Sequence, residues 1–137
     1  MIYQHIPIIM YTAITHNIKI SVKSFYHGQQ SNPLVNRYIH AYHVQIENLS
    51  PETVQLINRH WIIVDSNGVT REVEGEGVIG RQPTLTPGQL HSYTSWAPLA
   101  SDIGKMYGTF TMRRVADDSL FEVEIPVFKL IAPFKQN

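Results

Sequence analysis

A run of glycines after residue 74 is the motif in this sequence that most directly suggests chemistry. Its G-x-G-x-x-G spacing is that of loops that hold a dinucleotide pyrophosphate against the first turn of a helix. Two prolines in the continuation RQPTLTPG exclude such a helix. Two interpretations remain: the glycines allow a tight turn between strands, or their N–H groups form a nest for phosphate or pyrophosphate. The candidate anion ligands are Gly75, Gly77, Gly80 and Arg81.

Histidine and glutamate side chains provide weak candidate ligands for a divalent cation. His40 and His60 would share an ion if they met across neighbouring strands. Glu72, Glu74 and Glu76 recur at every second residue, so an extended chain would place them on one face as a weak Mg²⁺ site. The competing interpretations are half-buried histidines with ordinary hydrogen bonds and a solvated strand face.

An arginine and two aromatic residues provide a candidate surface for a protein partner. Arg59 and Trp61 have the same strand parity, so the guanidinium group would pack on or beside the indole. With Tyr93, an exposed pair would anchor a partner, whereas an inward-facing Trp61 would belong to the core. No nucleophile elbow or ordered triad motif occurs, so we assign no catalytic residue and expect neither an enzyme nor a bound cofactor.

Composition excludes several classes of partner. Eleven Lys and Arg residues balance eleven Asp and Glu residues, so we expect no broad electropositive surface for nucleic acid or an anionic membrane. The absence of cysteine excludes disulfides, thiol chemistry and Cys-based zinc or iron–sulfur sites, and it fits a cytoplasmic location. A length of 137 residues favours one domain.

The first 17 residues form an apolar extension that needs a separate interpretation. The segment lacks a basic n-region and a small-residue cleavage site, and it is too short and too interrupted for a transmembrane helix. We expect an extra strand or arm that covers a sheet edge or pairs with a second subunit. A homodimer would then form through this extension or through an edge strand, and residues 18–137 would be the single domain.

Alternation of apolar and polar residues with a period of two dominates the chain and predicts strands. Residues 54–65 are apolar on both parities, which predicts a central strand or one with an end covered on both faces. Asn67 and Gly68 predict a hairpin with a type I′ turn, residues 75–88 predict a loop, and Pro126 predicts a bulge or an edge strand. About seven or more short strands indicate an all-β, antiparallel two-sheet sandwich of fibronectin type III or immunoglobulin-like type.

Several blocks of sequence, in order along the chain, resemble the ApaG family. The resemblance extends from about residue 18 to residue 133. Its blocks are LINRHWIIVDSNG at 56–68, VEGEGVIGRQP at 73–83, LTPG at 85–88, YTS at 93–95, GKMYG at 104–108 and IPVFKL at 125–130.

The resemblance implies a fibronectin type III-like sandwich in a small protein without an established activity. The family is linked by name and gene neighbourhood to cobalt resistance, magnesium efflux and diadenosine tetraphosphate hydrolysis. The same domain occurs in eukaryotic F-box proteins and in a polymerase-delta-interacting protein, where it looks like an interaction module. We therefore expect a non-enzymatic protein-binding module, with a link to divalent cation homeostasis. It would bind its partner through an exposed sheet face around Arg59, Trp61 and Tyr93, or through an edge strand that accepts a further strand. The alternative is a phosphate, pyrophosphate or dinucleoside-polyphosphate binder that uses the glycine-rich loop.

Overall fold

Strands account for most of the regular structure in the computed structural model, which describes residues 2–3, 8–133 and 135–136. Two short 3₁₀ turns, Gly28–Gln30 and Pro33–Val35, precede the longest strands. None of the described residues lies in a helix of the length and apolar character that a membrane crossing requires. The strands are β1 Ile2–Tyr3, β2 Tyr11–Thr15, β3 Ile18–Tyr26, β4 Tyr38–Asn48, β5 Val54–Asp65, β6 Thr70–Glu76, β7 Thr84–Leu85, β8 Leu90–Leu99, β9 Ile103–Arg114, β10 Leu120–Ile131 and β11 Lys135–Gln136.

Two antiparallel sheets form the body of the domain. One sheet has the order β2-β3-β4-β8, and the other has the order β10-β9-β5-β6, with β7 paired to the start of β5. The short strands β1 and β11 pair with each other. The pairings β4–β8 and β5–β9 join strands that are distant in the chain, as in Greek-key sandwiches. The predicted all-β, two-sheet sandwich is confirmed.

The core lies between the two sheets and is centred on four aromatic rings. The indole of Trp61 has its centroid 5.2 Å from the ring of Tyr42, 6.2 Å from that of Phe110 and 5.9 Å from that of Phe128. Such edge-on contacts between rings add to the hydrophobic free energy of burial. Aliphatic residues from β3, β4, β5 and β10 complete the core around them.

Two β-bulges explain where the apolar parity of a strand changes. Ile57 is the extra residue in β5, because Leu56 pairs with Met112 while Asn58 pairs with the adjacent Thr111. Apolar residues before and after this bulge therefore point into the same core, and β5 is central, between β9 and β6. A second register shift, between Ile125 and Phe128, confirms the bulge predicted at Pro126.

The hairpin between β5 and β6 forms where it was predicted, but its turn type differs. Gly68 has a φ of 89°, whereas Asn67 is not among the residues with positive φ. The Gly68 N–H donates to the Asp65 carbonyl, and the Asp65 N–H donates to the Val69 carbonyl. This is a three-residue loop with one left-handed glycine, and not the predicted type I′ turn.

The described part of the N-terminal extension is a sheet edge. Strand β2 pairs antiparallel with β3, while residues 1 and 4–7 of the predicted extension lie outside the described residues. The Glu124 N–H on β10 donates to Thr15 Oγ1 at 3.1 Å, and Ser24 Oγ donates to the Lys129 carbonyl at 2.8 Å. These bonds join the two sheets on this side. The edges of β6 and β8 lie on the opposite side.

Candidate functional site

The glycine-rich segment is the end of a strand followed by a tight turn. Strand β6 extends to Glu76, so the predicted loop begins two residues later than expected, and it is interrupted by the short β7. Ile79 and Gly80 have φ values of 49° and 71°, and the Val78 and Arg81 backbones exchange hydrogen bonds of 2.8 and 3.0 Å. This is a two-residue turn of the type I′ class, and no helix follows it.

Hydrogen bonds within the protein occupy much of the backbone that an anion nest would use. The Gly77 N–H donates to the Ile57 carbonyl, and the Arg81 N–H closes the turn. The Arg59 guanidinium donates from Nη1 to the carbonyls of Glu76 and Gly77, at 2.8 and 3.0 Å. The half-buried Arg59 therefore stabilises the turn, and its charge is paired with carbonyl dipoles.

The predicted face of Arg59, Trp61 and Tyr93 is not an exposed surface in this fold. Trp61 is 2% exposed, and its indole nitrogen is buried without a hydrogen-bond partner among the described residues. Tyr93 points between the sheets, and its hydroxyl is also buried without such a partner. Trp61 therefore belongs to the core, and it cannot anchor a partner as an exposed side chain would.

Burial keeps the tyrosines near Arg59 in their neutral form. Burial raises the pKa of Tyr93 well above its ordinary value; nearby Tyr42 raises it further, and the Arg59 charge lowers it. Burial also raises the pKa of Tyr42, against opposing contributions from a hydrogen bond with Ser95 and from Arg59. These hydroxyls are therefore protonated at neutral pH, and neither is a ready general base.

His40 and His60 lie in different sheets and do not meet, so the candidate metal site that would have paired them is wrong. His40 is fully buried on β4 with its ring 5.4 Å from that of Tyr26, and neither nitrogen has a hydrogen-bond partner within the described part of the chain. Burial lowers the pKa of His40 from 6.5 to about 4, so the ring is neutral at physiological pH.

His60 instead meets two of the predicted glutamates on the outer face of the other sheet. In the β5–β6 register, His60 pairs with Glu74 and Ile62 pairs with Glu72. The Nε2 atom of His60 forms a short hydrogen bond with Glu72 and lies 3.4 Å from Glu74 Oε1. One potential ligand atom from each of the three residues lies within 4.8 Å of the other two. The structure thus unites His60, Glu72 and Glu74 and separates His40 from them.

A shallow acidic groove extends beside this histidine. It has a volume of about 390 Å³, and its charged lining residues are Glu74, Glu76 and Glu122 against one arginine, Arg59. Strand β10 adds a further exposed carboxylate, Glu124, in the same cross-strand row as His60. This face of the sheet therefore carries a local excess of negative charge, although the chain as a whole is neutral.

The edge of β8 is a feature that the sequence analysis missed. This strand contains ten residues, LHSYTSWAPL, without any Lys, Arg, Asp or Glu. By contrast, β6 at the neighbouring edge has the sequence TREVEGE, in which four of seven residues are charged. Charged side chains are a common protection of sheet edges against further strand pairing. The sequence signal that could have revealed this edge is the absence of charged residues from β8, although the strand contains several polar ones.

Trp96 is the exposed aromatic residue of the β8 edge. Its side chain is 53% exposed on the outer face, and its ring lies edge-on to His27 with the centroids 4.9 Å apart. Across the sheet it pairs with Ala41, which in turn pairs with Phe25. Lys23 lies 5.8 Å from the centre of the Phe25 ring. An aromatic patch with a cation at its rim therefore adjoins the uncharged edge.

The fold and these surfaces define a small β-sandwich domain of the interaction type, and the comparisons with known proteins give its family. The family model described as the ApaG domain matches residues 28–114. Protein ApaG of Brucella abortus strain S19 is 47% identical over 124 residues, which cover 90% of this chain and 95% of that protein. Protein ApaG of Brucella anthropi is 48% identical with the same coverage. This chain belongs to the ApaG domain family.

Solved structures support the same assignment. A crystal structure of a Bordetella pertussis protein titled ApaA is 41% identical, with a TM-score of 0.81, and the match covers 83% of this chain and 92% of that one. An X-ray structure of a structural genomics target is 39% identical with a TM-score of 0.81, over 88% and 90% of the two chains. The suspected family is confirmed. The ApaG domain is not a known class of enzyme.

Proposed function

We propose that this protein is a non-catalytic protein-binding domain that accepts an extended segment of a partner as an additional strand against β8. The observation that carries the proposal is the long, uncharged edge of this strand beside the exposed ring of Trp96. In this mode of recognition, main-chain hydrogen bonds provide affinity and alternate side chains provide specificity.

The backbone of β8 has hydrogen-bonding groups available for such pairing. In an antiparallel ladder, residues alternate between those that bond to the neighbour and those whose N–H and C=O groups point away from it. The Asn48 N–H donates to the Gln89 carbonyl at 3.0 Å, so the alternation directs the backbone groups of Ser92, Thr94 and Trp96 toward the open edge. Pro98 has the same parity, and its carbonyl also points away from β4. It accepts a hydrogen bond from Arg71, which lies on the edge strand of the other sheet.

The two open edges differ in how well they suit a partner strand. Arg71, Glu72, Glu74 and Glu76 line β6, and a partner strand there would have to accommodate these charges. Arg71 and Pro98 close the far end of β8, which leaves residues 90–96 as the accessible part. Seven residues match the usual length of a short strand. Trp96, of the residue type most enriched in binding hot spots, lies at the end of this segment.

The side chains around Trp96 favour an apolar residue in the partner. His27, Ala41 and Phe25 surround the indole with apolar or aromatic surface, and the Lys23 ammonium group lies at the rim. A partner strand that places an aromatic or aliphatic side chain over Trp96 would complement this apolar surface. The partner we propose is therefore an extended peptide segment with an apolar residue that packs on Trp96.

A peptide selection combined with amide mapping tests this proposal. Unstructured peptides selected from a displayed library against the whole protein are titrated into ¹⁵N-labelled protein. We expect shift changes concentrated at residues 90–96, and slower hydrogen exchange at the amides of Ser92, Thr94 and Trp96. Shift changes confined to another strand, or a selection without any binding peptide, would overturn the proposal.

A matched pair of variants separates backbone pairing from side-chain effects. Thr94→Pro removes the outward N–H, while Thr94→Val removes only the hydroxyl that is bonded to His43 at 2.9 Å. We expect the proline variant to lose at least about tenfold in peptide affinity and the valine variant to retain it, since only the first loses a main-chain donor. If Thr94→Pro unfolds the protein, Trp96→Ala is the second test, and unchanged affinity in that variant would contradict the assigned anchor.

A further inference from the structure

We propose that His60, Glu72 and Glu74 form a surface site for a divalent transition-metal ion of the zinc, nickel or copper type. The site lies on the outer face of β5 and β6, so it is independent of the peptide-binding edge at β8. It combines an imidazole nitrogen with two carboxylates that converge on the same point.

Strand pairing preorganises the three ligands. His60 and Glu74 are direct cross-strand partners, and Glu72 is two residues further along the same face of β6. Tetrahedral coordination with metal–ligand distances of about 2.0–2.2 Å requires ligand atoms roughly 3.3 Å apart. The distance of 3.4 Å between His60 Nε2 and Glu74 Oε1 meets this requirement without backbone movement. Glu72 has to withdraw slightly from Nε2, which an exposed side chain can do by a rotamer change.

The charge of the cluster favours a cation. Both glutamates lie within 4 Å of His60 Nε2, and none of the described lysines or arginines lies within ion-pair distance of either carboxylate. The nearest arginine, Arg59, directs its guanidinium group to the carbonyls of Glu76 and Gly77. Two carboxylates that share one imidazole leave a net negative charge, and the nearby Glu122 and Glu124 add to it. A bound divalent ion would neutralise this charge.

The donor set determines which ions the site prefers. Imidazole nitrogen suits zinc, nickel and copper, whereas magnesium and calcium prefer oxygen ligands and, for calcium, more of them than this site offers. Three protein ligands leave at least one coordination position to water. The alternative occupant is a proton, in which case a protonated His60 bridges the two glutamates without any metal. If the cluster is a metal site, added metal binds saturably at this face. If the cluster holds only a proton, it does not.

Calorimetric titration of the full chain with Zn²⁺ in metal-free buffer tests the site. We expect saturable binding of one equivalent that millimolar Mg²⁺ does not abolish. His60→Gln, Glu72→Gln and Glu74→Gln should each weaken binding by about tenfold or more. The matched control is His43→Gln, which removes a histidine from the outer face of the other sheet and should leave the affinity unchanged. The absence of saturable binding in the unmodified protein, or an unchanged affinity in His60→Gln, overturns the proposal.

Paramagnetic line broadening by Ni²⁺ in ¹⁵N-labelled protein locates the bound ion. Broadening should centre on the amides of His60, Glu72 and Glu74, and it should disappear from them in His60→Gln. Broadening centred on His16, His27 or His91 would show that the ion binds another histidine, and the assigned site would then be wrong.

Discussion

The guanidinium group of Arg59 lies directly over the backbone of Gly75. A Cβ atom on this glycine would be only 2.8 Å from Nη2 and 2.9 Å from Nη1. The two residues face each other across β5 and β6, and the missing side chain lets Arg59 reach the carbonyls of Glu76 and Gly77. One glycine of the G-x-G-x-x-G pattern therefore makes room for an internal arginine.

Gly75→Ala should displace this arginine and reduce the free energy of unfolding by about 1 kcal/mol. The loss comes from two charge-assisted hydrogen bonds, and it is reduced by relaxation of the flexible Arg59 side chain. Urea denaturation measures the change. Gly28→Ala is the control, because its nearest neighbour would be a ring carbon of Tyr26 at an ordinary 3.6 Å. Equal stability of the two variants would contradict the structural role assigned to Arg59.

Gly108→Ala should be far more damaging than the same change at Gly75. The new Cβ would lie 1.9 Å from the His60 carbonyl oxygen and 3.1 Å from Trp61 Cα, so the backbones of β5 and β9 would have to separate. We expect a loss of more than about 3 kcal/mol, because the interior cannot absorb such overlap without losing packing. Unfolding in urea, or the yield of folded protein if it is too unstable, gives the comparison. A loss below about 1 kcal/mol would show that the two strands are not this close.

The two tryptophans should behave in opposite ways. Trp61→Ala creates a cavity among buried aromatic rings and should cost about 3–5 kcal/mol of stability. Trp96→Ala removes a half-exposed ring and should cost less than about 1 kcal/mol. Far-UV circular dichroism during denaturation measures both without relying on tryptophan fluorescence. Comparable losses in the two variants would place Trp96 in a buried environment, contrary to the structure.

His40 should make the fold sensitive to mild acid. The folded state holds the pKa of His40 at about 4, below the value of 6.5 expected in the unfolded chain. The unfolded state therefore binds a proton first as the pH falls. Above about pH 6.5, His40 is neutral in both states and does not reduce the free energy of unfolding. From pH 6.5 toward pH 4 that free energy falls progressively, by at most about 3 kcal/mol.

His40→Leu isolates this contribution from that of the other histidines. Leucine removes the titrating group and leaves no buried nitrogen without a partner, so it should be tolerated at neutral pH. The difference in unfolding free energy between the variant and the unmodified protein should grow in favour of the variant from pH 7 to pH 4.5. A difference that stays constant over this range would mean that His40 is already able to accept a proton in the folded state.

Much of the fold could be predicted because a strand has a simple periodicity that local sequence records. Alternation located β5, and the proline at position 126 located a bulge, since proline cannot donate to the ladder. The bulge at Ile57 was not recognised. In the sequence, an apolar residue at an unpaired bulge position cannot be told from an apolar residue that is buried on the second face of a central strand. The choice between an exposed and a buried Trp61 depended on this point, and so it could not be decided from the sequence.

Neither the assembly of the candidate metal site nor the open edge of β8 could be predicted from the sequence. His60, Glu72 and Glu74 were candidates by residue type, but the predicted two-residue turn would have paired His60 with Gly75. Only the three-residue loop at 66–68 pairs His60 with Glu74. His40 could not be separated from this site without knowing that β4 pairs with β8 and not with β5. Which strands become open edges depends on how the two sheets pack together, and here the edge strands β2 and β10 are joined by the hydrogen bond from the Glu124 N–H to Thr15 Oγ1.

The sequence by itself therefore determined the class of fold and the residues able to form turns and bind ions. These properties depend on side-chain type and on neighbours within a few positions. Only the tertiary structure decided that Trp61 is buried, that Arg59 points inward and that β8 is open. These facts depend on contacts between segments far apart in the chain, and local periodicity contains no record of them.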